Sequence, residues 1–168
     1  MNLVIRNEQP QDVKAIEEVT QAAFKDVEYS SHTEQFIVRE LRNRNVLTVS
    51  LVAEIDGKIV GHVAISPVQL SSGDLAWYGL GPISVLPSQQ CKGIGHALMT
   101  TAIEVLKVRN SNGCVLLGDP NYYGKFGFKA VPNLILEGVP PEYFQAISFV
   151  DSFPNALVSY DKAFEVTE

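Results

Sequence analysis

The apolar and polar positions of this chain change period several times. Leu3-Val4-Ile5 opens a short run that reads as a first strand. From Pro10 onward, Val13, Ile16, Val19, Ala23 and Phe24 recur at the spacing of one helix face, and Pro10 suits a first turn. In Ser31-His32-Thr33-Glu34, residues Ser31 and Glu34 stand in capping-box register. Ile37, Val38 and Leu41 follow, so a second short amphipathic helix is predicted there.

The period then shortens to that of strands. LTVSLVAEI, IVGHVAISPVQL and LAWYGLGPISVLP are separated by the turn sequences Asp56-Gly57 and Gly73-Asp74. Three antiparallel strands in series are expected. Gly79, Gly81 and Pro82 interrupt the third, which marks a bulge or an unpaired edge. A helix is predicted from about Gly93, with Ile94, Leu98, Ala102, Val105 and Leu106 as its buried stripe. GCVLLGD reads as a buried strand, PNYYGKFGF as a short helix and then a strand. YFQAISFV and ALVSYDKAF read as late strands. This order predicts an α/β mixed sheet with helices on its faces.

Composition narrows the function. Hydrophobic residues make up 46% and charged residues 19% of the 168, a globular balance consistent with one domain over 1–168. The net charge of −6 argues against a general nucleic-acid partner, which would need a basic face. Cys91 and Cys114 have no metal-ligand spacing, and no metal is expected. The pair fits a reduced, cytoplasmic protein better than a disulfide scaffold. No apolar run approaches membrane length and the N-terminus lacks a signal-peptide pattern, so no membrane partner is expected.

The glycine pair in QQCKGIGHALM is the strongest chemical signal. A glycine-rich loop between a strand and a helix can seat an anion on backbone N–H groups at the positive end of the helix dipole. Gly93 and Gly95 carry no Cβ, and Lys92 adds a charge. A helix that simply starts after a flexible turn is the plainer alternative. A dinucleotide loop fits poorly: G-I-G-H-A-L has two of the three required glycines, and Val115 stands where a ribose-binding acid is needed. No Gly-Lys-Ser or Gly-Lys-Thr run exists for a P-loop.

With its flanks, VLPSQQCKGIGHALM resembles the acyl-CoA loop of the GNAT superfamily of N-acetyltransferases. That loop has Arg or Gln, two free positions, Gly, one free position, then Gly or Ala. Gln90, Gly93 and Gly95 fill it. A second family signature, Tyr, three free positions, then Gly-Phe, is filled by Tyr123, Gly127 and Phe128. The element order also matches, so the resemblance spans nearly the whole chain. It implies a GNAT-like, mostly antiparallel sheet, splayed between its fourth and fifth strands and flanked by helices.

Further expectations come from that resemblance. It implies acetyl-CoA as co-substrate, with its pantetheine arm along the open strand edge at Ile83, Ser84 and Val85. Its pyrophosphate would sit on the backbone of Gln90, Cys91, Lys92, Gly93, Ile94, Gly95 and His96. Asn121 would stand at the mouth of the splay. Tyr123 would be the general acid that protonates the leaving thiolate; Tyr122 is read as a packing residue. For the base or acceptor contact, Glu34, His32, His62 and a water chain all stay open. Glu34 also has its capping role. Cys91, beside Lys92 at a helix start, is a candidate nucleophile without a motif-placed partner. Cys114 reads as inert core. The implied reaction is direct acetyl transfer to a primary amine, small molecule or peptide. A non-catalytic acyl-CoA-binding domain on the same fold is the alternative. Dimers are common in the family, so a homodimer is one expected assembly.

Overall fold

A computed structural model describes residues 2–167. Strand β1 (Leu3–Asn7) leads through a tight turn at Pro10–Asp12 into α1 (Val13–Phe24), followed by α2 (Glu34–Asn43). Then come β2 (Val49–Ile55), β3 (Lys58–Pro67), the two-residue β4 (Gln69–Leu70) and β5 (Trp77–Val85). Helix α3 (Ile94–Val108), β6 (Gly113–Leu117) and the single turn α4 (Pro120–Tyr123) follow. The chain ends with β7 (Leu134–Ile135), β8 (Phe144–Ser148) and β9 (Ala156–Ser159).

Six strands form one sheet in the order β1-β2-β3-β5-β6-β8. Only β5 and β6 pair in parallel within it. Helix α3 covers one face through Leu98, Met99, Ala102 and Leu106. Helices α1 and α2 cover the other through Ile16, Val19, Val38 and Leu41. Strand β3 lies between these layers, and every residue from Ile59 to Ser66 is buried. That explains why it reads as a continuous apolar run. The β2–β3 turn is made by Asp56 and Gly57 at φ +50° and +82°, the two left-handed positions of a type I′ hairpin.

An ion-pair network ties the first strand to the first helix. Asp12, almost fully buried, accepts from Arg6 at 2.7 and 3.1 Å and from the Gln9 N–H at 2.7 Å. Arg6 also reaches Glu54 at 2.9 Å.

Several expectations need correction. The Ser31–Glu34 capping box does not form. Thr33 occupies the N-cap of α2, Ser31 bonds to Thr33, and Ser30 donates to Glu34 Oε2 at 2.6 Å. The strand expected after Tyr123 is a single bridge, Lys129 with Ala146, because Phe128 turns into the core instead. The last segment stops pairing at Ser159, and residues 162–165 form a 3-10 turn. Strand β9 also leaves the main sheet. It lies between β4 and β7 in a second, three-stranded sheet, whose two-residue partners are too short to show a period.

Candidate active site

Strands β5 and β6, the fourth and fifth long strands, pair at Trp77–Gly113, Tyr78–Cys114 and Gly79–Val115, then part. The parting coincides with a bulge. Between the Ile65–Leu80 and Val63–Ile83 pairs, β5 carries one residue more than β3. Gly81 lies there at φ +140°, a backbone that side chains avoid. Beyond the bulge, β5 follows β3 with its other edge open. Leu86 donates to Val60 O at 2.9 Å, so by strand alternation Ser84 also faces β3. The N–H and C=O groups of Ile83 and Val85 face the gap. Consistently, Gln90 Nε2 reaches across to Val85 O at 3.1 Å.

Helix α3 starts at the end of this edge. Gly93 is its N-cap at φ +84°, with nothing within 4 Å of where a Cβ would be. The first helical bond runs from Ala97 N to Gly93 O at 3.0 Å. The N–H groups of residues 91–96 donate to no backbone carbonyl among the described residues. They crown the positive end of a four-turn helix, so the site suits an anion.

Helix α4 brings the tyrosines to the same gap. Asp119 caps it, accepting from Asn121 N at 2.9 Å, and Pro120 takes the first position. Gly118, just after β6, lies flat against the Tyr123 ring, and any Cβ there would overlap it. Gln145 Nε2 holds the Gly118 carbonyl at 3.0 Å and so fixes the turn that carries α4. Tyr122 and Tyr123 meet edge to face at 4.9 Å. Burial pushes the Tyr123 hydroxyl up to about 12, and Tyr122, Tyr29 and Asp119 add to the rise. This phenol keeps its proton throughout the neutral range.

The result is one cleft of about 370 Å³. Ile83, Ser84 and Val85, the loop and helix residues 90, 91 and 93–96, and Tyr123 all line it. Gln89 and Tyr122 line it too, and the sequence did not point to either in this place. Tyr122 packs on Phe126 at 5.5 Å as well as facing the cleft. Its position beside Gly95 depends on the fold of α4 against α3, a contact between segments far apart in sequence. Lys92 and Asn121 are exposed and outside the lining, with Lys92 Nζ 3.3 Å from Gln89 Oε1. Cys91 is exposed at φ +63°. Cys114 is buried, with its thiol pushed up strongly by burial.

The candidate bases are dispersed. Glu34 sits at the start of α2; its Oε1 is buried and has no partner among the described residues. His32 is exposed beside Gln21, Phe24, Lys25 and Gln35 in a small hollow between α1 and α2. His62 is buried in β3, and burial pushes it down to about 4, opposed by Glu8 and reinforced by Arg42.

A mixed sheet that splays beside a glycine-started helix, with a protonated tyrosine over the gap, defines a class of acyl-group transfer folds. Residues 13–128 match the model of the acetyltransferase (GNAT) family. The uncharacterized N-acetyltransferase YhbS of Escherichia coli K12 is 34% identical over 128 residues, covering 76% of this chain and 74% of that protein. Among solved structures, a GNAT family acetyltransferase from Brucella melitensis in complex with acetyl-CoA is 45% identical. It superposes with a TM-score of 0.88 over 97% of this chain and 98% of that one. E. coli YhbS in complex with CoA gives a TM-score of 0.90 at 28% identity, over 100% of this chain and 94% of that one. The chain belongs to the GNAT acetyltransferase family, and the expected splayed, mostly antiparallel fold is the one it has.

Proposed function

We propose that this protein, acting as one catalytic unit over 1–168, transfers the acetyl group of acetyl-CoA to a primary amine by direct attack in a ternary complex. One observation carries the reading. The open β5 edge, the free N–H groups before α3 and a protonated Tyr123 converge on one cleft. The acetyl-CoA and CoA bound in the two similar proteins support it.

The parts divide as follows. Val85 and Ile83 pair their backbone with the amides of the pantetheine arm, as a strand edge pairs an extended peptide. The N–H groups of residues 91–96 hold the pyrophosphate, with Gln90 and His96 at its flanks and Lys92 and Asn121 at the rim. Acetyl-CoA supplies an acetyl thioester and a thiolate leaving group. Tyr123 donates its proton to that sulfur, and its raised pKa keeps the donor loaded. Glu34 is the contact for the cationic acceptor; its unpartnered Oε1 supports this role. Neither Cys91 nor a metal is needed for the transfer.

An amine panel tests the proposal. Purified protein with acetyl-CoA and small-molecule or peptide amines should release free CoA thiol together with an acetylated amine of matching mass. Tight acetyl-CoA binding without any acetylated product across the panel would favour a non-catalytic acyl-CoA-binding domain.

A further inference from the structure

Beneath the cleft, a row of polar side chains crosses the face that α1 and α2 otherwise fill with apolar groups. Arg42 of α2 holds Glu8, just past β1, through paired bonds of 2.8 and 2.9 Å. Ser50 of β2 lies 2.5 Å from Glu8 Oε1 and 2.8 Å from His62 Nε2. His62 is the direct strand partner of Ser84 across β3 and β5, so the two side chains share one sheet face. Ser84 lines the cleft. At the other end, Glu8, Ser50 and Arg42 line a surface hollow of about 400 Å³ with Asn7, Asn45 and Leu47.

The proton positions along this row follow from chemistry. Burial raises Glu8, but the bonds from Arg42 and Ser50 outweigh it and hold the carboxyl below its usual range. Glu8 is therefore ionised at neutral pH and can only accept, so Ser50 donates to it. The Ser50 oxygen then accepts from His62, which fixes the proton on Nε2. Nδ1 is left as a bare base. It is buried and has no partner among the described residues, and so is Ser84 Oγ. A network built for stability alone leaves few buried polar atoms unpartnered. Here the two orphans stand on facing residues, between a complete chain of bonds and the cleft. The charged groups facing His62 are Glu8 and Arg42; its neighbours on α1 and α2, Ile16 and Val38 among them, are apolar.

We infer that Ser84, His62, Ser50 and Glu8 form a proton relay that carries the proton lost by the acceptor amine from the cleft to the surface hollow at Arg42. This inference rests on the acetyl-transfer reading and names its missing base. As the N–C bond forms and the C–S bond breaks, the amine gives up a proton through Ser84, with a bridging water, to His62 Nδ1. His62 passes its Nε2 proton to Ser50, and Ser50 passes its own to Glu8, which releases it to solvent. Tyr123 separately protonates the thiolate and regains its proton from solvent. One proton leaves and one enters, so the reaction balances, and exchange of the imidazole proton from Nδ1 back to Nε2 restores the relay. His62 acts through Ser84 and does not touch the substrate, so it is a relay residue. Its neutral resting state, set by burial, leaves the lone pair ready to accept.

The test compares wild type with His62→Gln and Ser50→Ala, using the best amine from the panel. Gln can still bond to Ser50 but cannot take up a proton. Both variants should lower kcat by about 10²-fold near neutral pH, with the KM for acetyl-CoA and the melting temperature close to wild type. The deficit should shrink as pH rises, because hydroxide can then remove the amine proton directly. Wild-type kcat in His62→Gln, or a deficit independent of pH, would overturn the relay alone. If wild type acetylates no amine, the acetyl-transfer reading and the relay both fall. Nitrogen NMR of the CoA-bound protein gives a readout that needs no turnover. It should show His62 protonated at Nε2 and bare at Nδ1; the opposite tautomer would overturn the relay.

Discussion

The hydroxyl of Tyr122 stands 3.1 Å from the point where a Cβ on Gly95 would sit. This near approach brings α4 against the first turn of α3, and both residues line the cleft. It also separates the two glycines of the loop by the reason each is there. Gly95 makes room for a side chain, whereas Gly93 supplies a left-handed backbone.

Substitutions at these glycines should therefore fail differently. Gly95→Val must displace Tyr122 and crowd the free N–H groups, so CoA affinity should fall at least about tenfold, or 1.4 kcal/mol. Gly93→Ala meets no atom within 4 Å but adopts φ +84°, which costs about 1–2 kcal/mol of stability. Calorimetric titration with CoA and thermal melts separate the two effects. Unchanged CoA affinity in a folded Gly95→Val protein would remove the anion-site reading.

Tyr123→Phe keeps the ring against Gly118 and deletes only the hydroxyl. Turnover should fall by roughly 10²–10⁴-fold with little change in acetyl-CoA affinity. Because burial holds the phenol near 12, wild-type kcat should show no loss from this group as pH rises to 9. Wild-type turnover in the variant, measured where chemistry limits the rate, would exclude Tyr123 as the acid.

Gly118→Ala tests how the tyrosine is held. A methyl group there overlaps the Tyr123 ring directly, so the ring must swing away from the cleft. The expected result is a drop in kcat comparable to that of Tyr123→Phe, with CoA binding retained in titration. Full activity would show that the ring position is not critical.

Asp12 provides a pH test of stability. The bonds from Arg6 hold its carboxyl below the usual range against the opposing effect of burial. A depressed folded pKa favours the folded state above the ordinary carboxylate value, and the benefit disappears as pH falls through the folded pKa. Asp12→Asn should cost about 1–3 kcal/mol at pH 7, a range kept modest because Arg6 is partly exposed. The gap in melting temperature should narrow in acid. A gap that stays constant with pH would assign the effect to packing.

The legible parts of the site were those made of local backbone requirements. Gly93 and Gly95 before an apolar helical stripe, and Gly81-Pro82 within a strand, announce special backbone by residue type alone. Gly93 and Gly95 line the cleft, and Gly81 sits at the bulge beside which β5 and β6 part. Tyr123 was legible only through its Gly127-Phe128 context, since an isolated tyrosine has no period. Tyr122 was read as packing and is both packing and lining. Ser31 and Glu34 had capping spacing, yet Thr33 stands at the N-cap without a side-chain bond to the helix, because Ser31 is bonded to Thr33 and Glu34 to Ser30 instead.

The sequence by itself determined the helices, the long strands and the glycine loop before α3. Periodicity, turn residues and missing Cβ atoms act over a few residues, and their physics does not wait for the rest of the chain. Only the tertiary structure decided which distant groups meet. It set Tyr122 over Gly95 and the Gly118 turn under Tyr123. It also put His62 opposite Ser84 and linked it to Glu8 through Ser50. It sent β9 to a second sheet, between two strands of two residues each. These outcomes depend on strand register and on side-chain packing between segments tens of residues apart. A one-residue slip would turn every such side chain to the other face; the Asp56-Gly57 turn pins β2 on β3 locally, whereas the pairing of β3 with β5 across the bulge at Gly81 is decided only in the folded sheet.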